Sequence, residues 1–496
     1  MASKFLLLGN FVGLWVLWKL AEAIYNAFFH PLCKFPGPFE ARLSRWWLLR
    51  QEMQGFSHQV LEELHERHGK VVRIAPNELS INAVDANAVI YGQGTKFCKA
   101  PYFYRAFETE ASNLFTMTER QAHLKDKKLM SNAFSRASIL NFEEVMASKV
   151  QTLMVRLGQY VEANKPLPLM NAFRCLTLDT ITEFCYGEPM GALHVENFDT
   201  PLFESFDLAT KAIIFFQHFP FLRQLTRWAQ RYNLPGTLKG FKGMDEAAVA
   251  GVRSIKARRK SGVEARTLFH GMFLSAEQNG VNLSDDHLAS EAILMNFAGT
   301  DTTAATLAFG LHNIIRRPDL YHKLQDELLR MQKANAGARL TYMQLEGNEL
   351  LSACLKEALR ITCPVSGRLP RTVPADGWNY QGHYIPAGSI VASSPYFECY
   401  DKEVFPDPKE YRPERWLVED TTELQKHFHP FSRGARSCIG QNLSVVEQRL
   451  AFAYFVLNFS PKSVVDPNPV FKQFNTLISQ SDLNVFVNLN GPSMQC

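Results

Sequence analysis

A single cysteine, Cys438, stands in FSRGARSCIG (431–440), two residues after Arg436 and between Gly434 and Gly440. The apolar helical segment that follows, from about Asn442 to Leu457, would set its sulfur at a helix N-terminus, where free backbone N–H groups favour a thiolate. A thiolate held there is a soft axial ligand for a metal. Arg436 could bind an anionic substituent of the same cofactor, and the glycines let a flat partner approach the backbone. An isolated cysteine is usually an inert buried residue; these neighbours argue for the ligand.

Two further stretches carry chemistry. In AGTDTT (298–303) a carboxylate and a hydroxyl, Asp301 and Thr302, follow Ala298 and Gly299 inside a helical pattern. Such a pair can pass protons to a ligand. The plainer alternative is that Thr302 bonds back to the Ala298 carbonyl. Leu294, Phe297, Ala298 and Thr302 share one face, which would roof an apolar pocket. In LKEALR, Glu357 and Arg360 are three residues apart, and their face continues through Leu350, Ala353 and Cys354, which predicts a partly buried ion pair.

The elements that must position these residues are mostly helices. Helical periodicity runs from about Ser57 to Arg360, broken by VVRIAPNELSINA, whose β-branched and turn residues predict a short hairpin. The longest helix should start at the N-cap Ser284, continue through Asp285 and Asp286, and stop before Pro318, carrying AGTDTT near its middle. Beyond Pro364, WNYQGHYIPAGSIVA alternates around Gln381-Gly382 and Pro386-Ala387-Gly388 and predicts a small antiparallel sheet.

Composition sets the limits. Hydrophobic content of 46% and charged content of 21% indicate a globular chain, and a net charge of +4 spread over 496 residues argues against nucleic-acid binding. The nine cysteines include no CxxC pair, which fits a reduced compartment. Near the N-terminus an apolar run, Phe5 to Trp18, is followed by Lys19, Lys34, Arg42, Arg45 and Arg50, with only Lys4 ahead of it. A cleaved signal peptide, a spanning anchor and an interfacial helix compete. The missing cleavage site favours an uncleaved anchor over residues 1–29, followed by a proline-punctuated hinge at 30–38 and a folded body over 39–496 on the cytosolic side.

With the three stretches in this order, the sequence resembles the cytochrome P-450 family of haem-thiolate monooxygenases, and its N-terminus resembles membrane-bound fungal members. The pattern FxxGxRxCxG is met at Phe431, Gly434, Arg436, Cys438 and Gly440, the ExxR pair at Glu357 and Arg360, the AGxDTT segment at 298–303, and PERW at 413–416. The resemblance implies a mainly helical catalytic domain with small antiparallel sheets. It implies haem b with Cys438 as axial ligand, and electrons from NADPH through a separate reductase. It further implies proton delivery by Asp301 and Thr302, bracing by Glu357, Arg360 and Arg415, and propionate contacts from Arg371 and Arg436. His123 and Lys127 would contact haem as well. Lys127 departs from the family's usual arginine, and a lysine offers a point charge in place of a planar fork.

The substrate implied is a bulky apolar small molecule of fungal secondary metabolism, a terpenoid, polyketide or alkaloid, to be hydroxylated or epoxidised. By the same resemblance its pocket would include Phe103, Phe115, Leu294, Phe297, Ala298, Val365 and Leu477. The expected location is the endoplasmic reticulum membrane. An isomerase or dehydratase that uses no dioxygen would need no proton relay, and a haem-binding sensor would need no enclosed pocket.

Overall fold

Helix Asp285–Ile315 is the axis of the molecule, 31 residues long, with the Ser284 side chain accepting from His287 N as its cap. At about 1.5 Å per residue it extends roughly 46 Å. The computed structural model describes residues 2–232, 239–260, 267–474, 476–479 and 483–490. Within these the chain is mainly helical, as expected.

The long helix packs against helix Leu169–Tyr186, helix Glu349–Thr362 and helix Gln441–Asn458. One apolar cluster joins all four. Gly299 belongs to the first of these contacts. A Cβ there would come within 2.7 Å of the Ile181 side chain, so this glycine serves helix packing, while Ala298 beside it is the residue left exposed.

The described strands form four small sheets. The expected hairpin is present, Val71–Ala75 antiparallel to Glu78–Ile81. The expected sheet beyond Pro364 divides in two. Trp378–Tyr380 and His383–Ile385 pair across Gln381 and Gly382, both at positive φ. Ile390–Ala392 leaves them to run parallel to Glu78–Ile81 and antiparallel to Arg371–Thr372. Local alternation predicts a strand but carries no information about a partner three hundred residues away.

The N-terminal segment is helical over Ala2–Ile24. Among the described residues no helix is long and apolar enough to cross a membrane, so the spanning form of the expected anchor is not supported. Asn10 and the Lys19–Glu22 ion pair (2.7 Å) interrupt the apolar run. Phe11, Leu14, Trp15, Leu17 and Trp18 stand exposed along the helix.

Candidate functional site

The cysteine loop closes on itself. Cys438 N donates to Phe431 O at 2.9 Å and Ser437 N to Gly434 O at 3.1 Å, directly before helix Gln441–Asn458. Gly434 has φ +71°, and a Cβ there would meet the Tyr91 carbonyl oxygen at 2.4 Å; a side chain fits neither condition. Cys438 is accessible yet set deep in the molecule. Burial pushes its thiol above the usual range, opposed by the Gly440 N–H and by Lys127. The expected help from the helix terminus is present but outweighed, so this sulfur ionises most readily when a metal takes the place of its proton.

Positive charge converges beside the loop. Lys99 and Arg371 are directly opposed on the antiparallel strands Cys98–Lys99 and Arg371–Thr372, a pairing of like charges that by itself is destabilising. Lys127 and Arg436 complete the group. Burial first, then Arg371, Arg436 and Lys127, push the Lys99 ammonium well below its usual range. Burial and Arg371 bring Arg436 down to about 10. Burial, Arg436, Lys99 and Lys127 bring His123 down to about 3.

Among the described residues none of the four cations makes an ion pair; neutral carbonyls and the Tyr104 hydroxyl, which accepts from Arg371 Nη1, take their hydrogen bonds. Lys99 Nζ donates to Phe115 O at 2.5 Å, Arg371 Nη1 to Pro370 O at 3.1 Å and Arg436 Nη1 to Met117 O at 2.7 Å. Lys127 Nζ donates to Ala435 O at 3.0 Å, which ties it to the cysteine loop. Buried cations without carboxylates are unfavourable unless a ligand supplies the negative charge. Together with a soft sulfur and a glycine-lined backbone, this set fits a flat, dianionic metal cofactor.

The long helix roofs a cavity of about 140 Å³ lined by Phe103, Phe115, Leu294, Phe297, Ala298 and Val365, with Asp301 and Thr302 in the same wall. Six of the seven expected pocket residues therefore meet. Leu477 lies on strand Thr476–Ser479, and its side chain is outside the described residues. Thr302 Oγ1 donates to Ala298 O at 2.8 Å, the plainer of the two arrangements expected for it. The Asp301 carboxylate accepts from Arg174 Nε at 2.8 Å and Nη2 at 3.1 Å. Burial nevertheless raises the Asp301 carboxyl, against the pull of Arg174, so protonation lies closer to neutrality than for a free aspartate. The next residue, Thr303, bonds Ser444 at 2.8 Å, which stitches this segment to the helix that follows Cys438.

Glu357 and Arg360 are fully enclosed, with no exposed side-chain surface, and 2.8 Å apart. The carboxylate also accepts from Arg412 N at 3.0 Å, Arg415 Nε at 3.1 Å and Trp416 Nε1 at 2.9 Å. Arg360 in turn donates to Cys399 O at 2.7 Å. The expected pair and its brace are assembled, more deeply buried than helical spacing alone suggested.

A sequence profile for cytochrome P450 matches residues 36–487. The chain belongs to the cytochrome P450 family. It is 30% identical to the cytochrome P450 monooxygenase BOT1 of Botryotinia fuckeliana over 88% of this chain and 87% of that protein. It is also 30% identical to a fusicoccadiene C-8 hydroxylase of Phomopsis amygdali, covering 93% and 90% of the two chains, and to the cytochrome P450 monooxygenase oblB of Cochliobolus heterostrophus, covering 94% and 90%. This P450 is accordingly an oxygen-incorporating oxidoreductase, and family membership implies haem with a cysteine thiolate ligand.

Sequence reasoning missed three residues of this P450's site. Lys99 gave no signal, because its neighbours in space come from strands far along the chain. Arg174 could have been found: a lone cation in the apolar helical stretch NAFRCLTL calls for a buried partner. Asp245 also lines the cavity, and burial with Glu110 pushes its carboxyl up to about 6.

Proposed function

We propose that this P450 inserts one oxygen atom of O2 into an apolar, terpenoid-like molecule of fungal secondary metabolism, with NADPH electrons delivered by a separate reductase. The observation that carries the reading is the set of four cations beside the Cys438 loop, Lys99 and Arg371 buried and Lys127 and Arg436 half-buried, with no carboxylate paired to them among the described residues. Haem, when bound, would supply the oxygen activation. Cys438 would hold its iron through sulfur, and Lys99, Arg371 and Arg436 would hold its two carboxylates. Lys127 and His123 fix the loop and line its edge. Phe103, Phe115, Leu294, Phe297 and Val365 exclude water and orient a hydrocarbon skeleton. Asp301, set by Arg174, and Thr302 hold and pass protons at the cavity wall. Glu357, Arg360 and Arg415 brace the loop region. In balance, substrate, O2, NADPH and a proton give hydroxylated or epoxidised product, water and NADP+. The fusicoccadiene hydroxylase among the relatives supports a terpenoid substrate.

Helix Ala2–Ile24 rests in the interface of the endoplasmic reticulum membrane, its exposed aromatic residues at headgroup depth. Arg120, Lys125 and Lys128 are exposed on helix Arg120–Ser131 and form the reductase-facing surface. Three measurements test the reading. The reduced carbon-monoxide complex should show the red-shifted Soret band of thiolate haem and lose it in Cys438→Ser. Incubation with 18O2 and diterpene hydrocarbons should label the product. Reversing Lys125 and Lys128 to glutamate should slow reduction at low salt. An unshifted wild-type band, or product oxygen drawn from water, would overturn the proposal.

A further inference from the structure

One buried cluster takes no part in this chemistry. Asp126 on helix Arg120–Ser131 and His287 and Glu291 on the long helix each bring one ligand-type atom within 4.8 Å of the others. His287 and Glu291 are four residues apart and so share a helix face. His287 Nε2 lies 3.0 Å from Asp126 Oδ1, and its Nδ1 lies 3.2 Å from the Ser112 carbonyl oxygen. Glu291 Oε1 accepts from Leu114 N at 2.6 Å. The second oxygens, Asp126 Oδ2 and Glu291 Oε2, are buried with no donor from elsewhere, on residues 6% and 0% exposed, and the two carboxyl groups lie close enough to interact directly.

We propose that Asp126, His287 and Glu291 form a binding site for a divalent cation of zinc type. Two carboxylates and a neutral imidazole would carry two negative charges, which a dication cancels. An imidazole nitrogen with two carboxylate oxygens is a zinc-compatible donor set with room for a further ligand. Bonds of about 2.1 Å place ligand atoms roughly 3 to 4.2 Å apart, so the observed spacing needs only small adjustments. The Ser112 carbonyl fixes the other ring nitrogen as a donor, the arrangement that orients metal-bound histidines generally. Repulsion has a second sign here: burial and Asp126 push the Glu291 carboxyl well above its usual range. A bound cation would clasp Ser112–Leu114 and helix Arg120–Ser131 to the long helix. Asn113 and Phe115 of that stretch line the cavity, so the cation would order one wall of the substrate pocket.

The test uses the full-length, haem-loaded enzyme, stripped with a chelator, desalted and titrated with zinc chloride against a chromophoric competitor. The expected result is one zinc per haem, slower amide exchange over 108–117 when zinc is bound, and an affinity lower by more than about 100-fold in Glu291→Gln and His287→Ala, since losing a ligand should exceed the effect of losing an outer-shell partner. Glu291→Gln keeps the shape and an acceptor for Leu114 N, and an intact Soret band certifies its fold if His287→Ala is lost. Zinc uptake equal in wild type and Glu291→Gln, or no uptake in wild type, would overturn the proposal and leave a proton shared between the two carboxyl groups.

Discussion

Two buried charge clusters in this P450 are built on opposite rules. Around Glu357, every cation has its acceptor: Arg360, Arg415, the Trp416 indole and the Arg412 amide converge on one carboxylate. Around the Cys438 loop, Lys99, Lys127, Arg371 and Arg436 gather with no paired carboxylate among the described residues, and two of them face each other across a strand pair. The first cluster is balanced within the chain and holds elements together. The second has no counter-charge among the described residues, which the carboxylates of the proposed haem would supply. Charge balance, more than burial, separates a structural site from a binding site here.

The largest effect should come from breaking the balanced cluster. Glu357→Ala strands Arg360 and leaves Arg415, Trp416 and the Arg412 amide without their acceptor. Removing one partner of a buried pair costs about 3–5 kcal/mol, a large part of the stability of an ordinary domain. The variant should give little soluble, haem-loaded protein, measured as Soret absorbance per milligram. A normal yield would mean that the pair can relax into water and that the contrast between the clusters is weaker than the geometry indicates.

The open cluster should respond differently. Lys99→Met and Arg371→Met each remove a repulsive cation, so the polypeptide should fold at least as well, while haem leaves faster. Each should raise the rate of haem transfer to an apo-globin acceptor about tenfold, equivalent to losing one charge-assisted hydrogen bond of about 1.5 kcal/mol. Unchanged haem retention in both variants would remove this cluster from the cofactor site.

The same contrast explains what was legible in the sequence. Glu357 and Arg360 lie within one helical turn, and FSRGARSCIG is contiguous, so spacing alone disclosed them. AGTDTT and its helix were legible through the Ser284 cap and the stop before Pro318. Lys99 is different. It belongs to the site only because strand Cys98–Lys99 pairs with Arg371–Thr372, a register fixed by long-range packing. Arg174 reaches Asp301 from another helix, 127 residues away, and Ile390–Ala392 finds its partner strand Glu78–Ile81 still farther along the chain. Local periodicity was equally silent on depth: the expected partly buried pair is wholly enclosed, and the expected membrane span is a helix too polar to cross.

Asp301 stands at the cavity wall and shares Arg174 with Asp207, each pair at 2.8 Å. Thr302→Ala removes the hydroxyl beside it without touching either ion pair. Reducing equivalents should then leak to hydrogen peroxide: NADPH oxidation is largely retained, product per NADPH falls several-fold, and substrate binding is nearly unchanged. Coupling equal to wild type would return Thr302 to its helix bond with Ala298 O as its whole role.

The smallest effect concerns a buried group that avoids charge altogether. His65 is buried, with Nδ1 at 2.9 Å from the Gly69 carbonyl and Nε2 at 2.8 Å from Ser80 Oγ. A carbonyl only accepts, so Nδ1 carries the proton and Nε2 accepts from the hydroxyl, which makes the neutral ring the satisfied one. Burial pushes its pKa down from 6.5 to about 4. For a base whose folded pKa is depressed, the stabilisation is complete above the unfolded value and is lost as pH falls through the window from 6.5 to about 4. Between pH 8 and pH 6 the loss should be a little under about 1 kcal/mol, since only the upper edge of that window is crossed. Denaturant midpoints of the haem-loaded protein should show this slope, and His65→Gln, which cannot protonate, should be flatter by that amount. Equal slopes would mean that the ring is already hydrated, and that neutrality by burial is not a third way in which this protein manages charge.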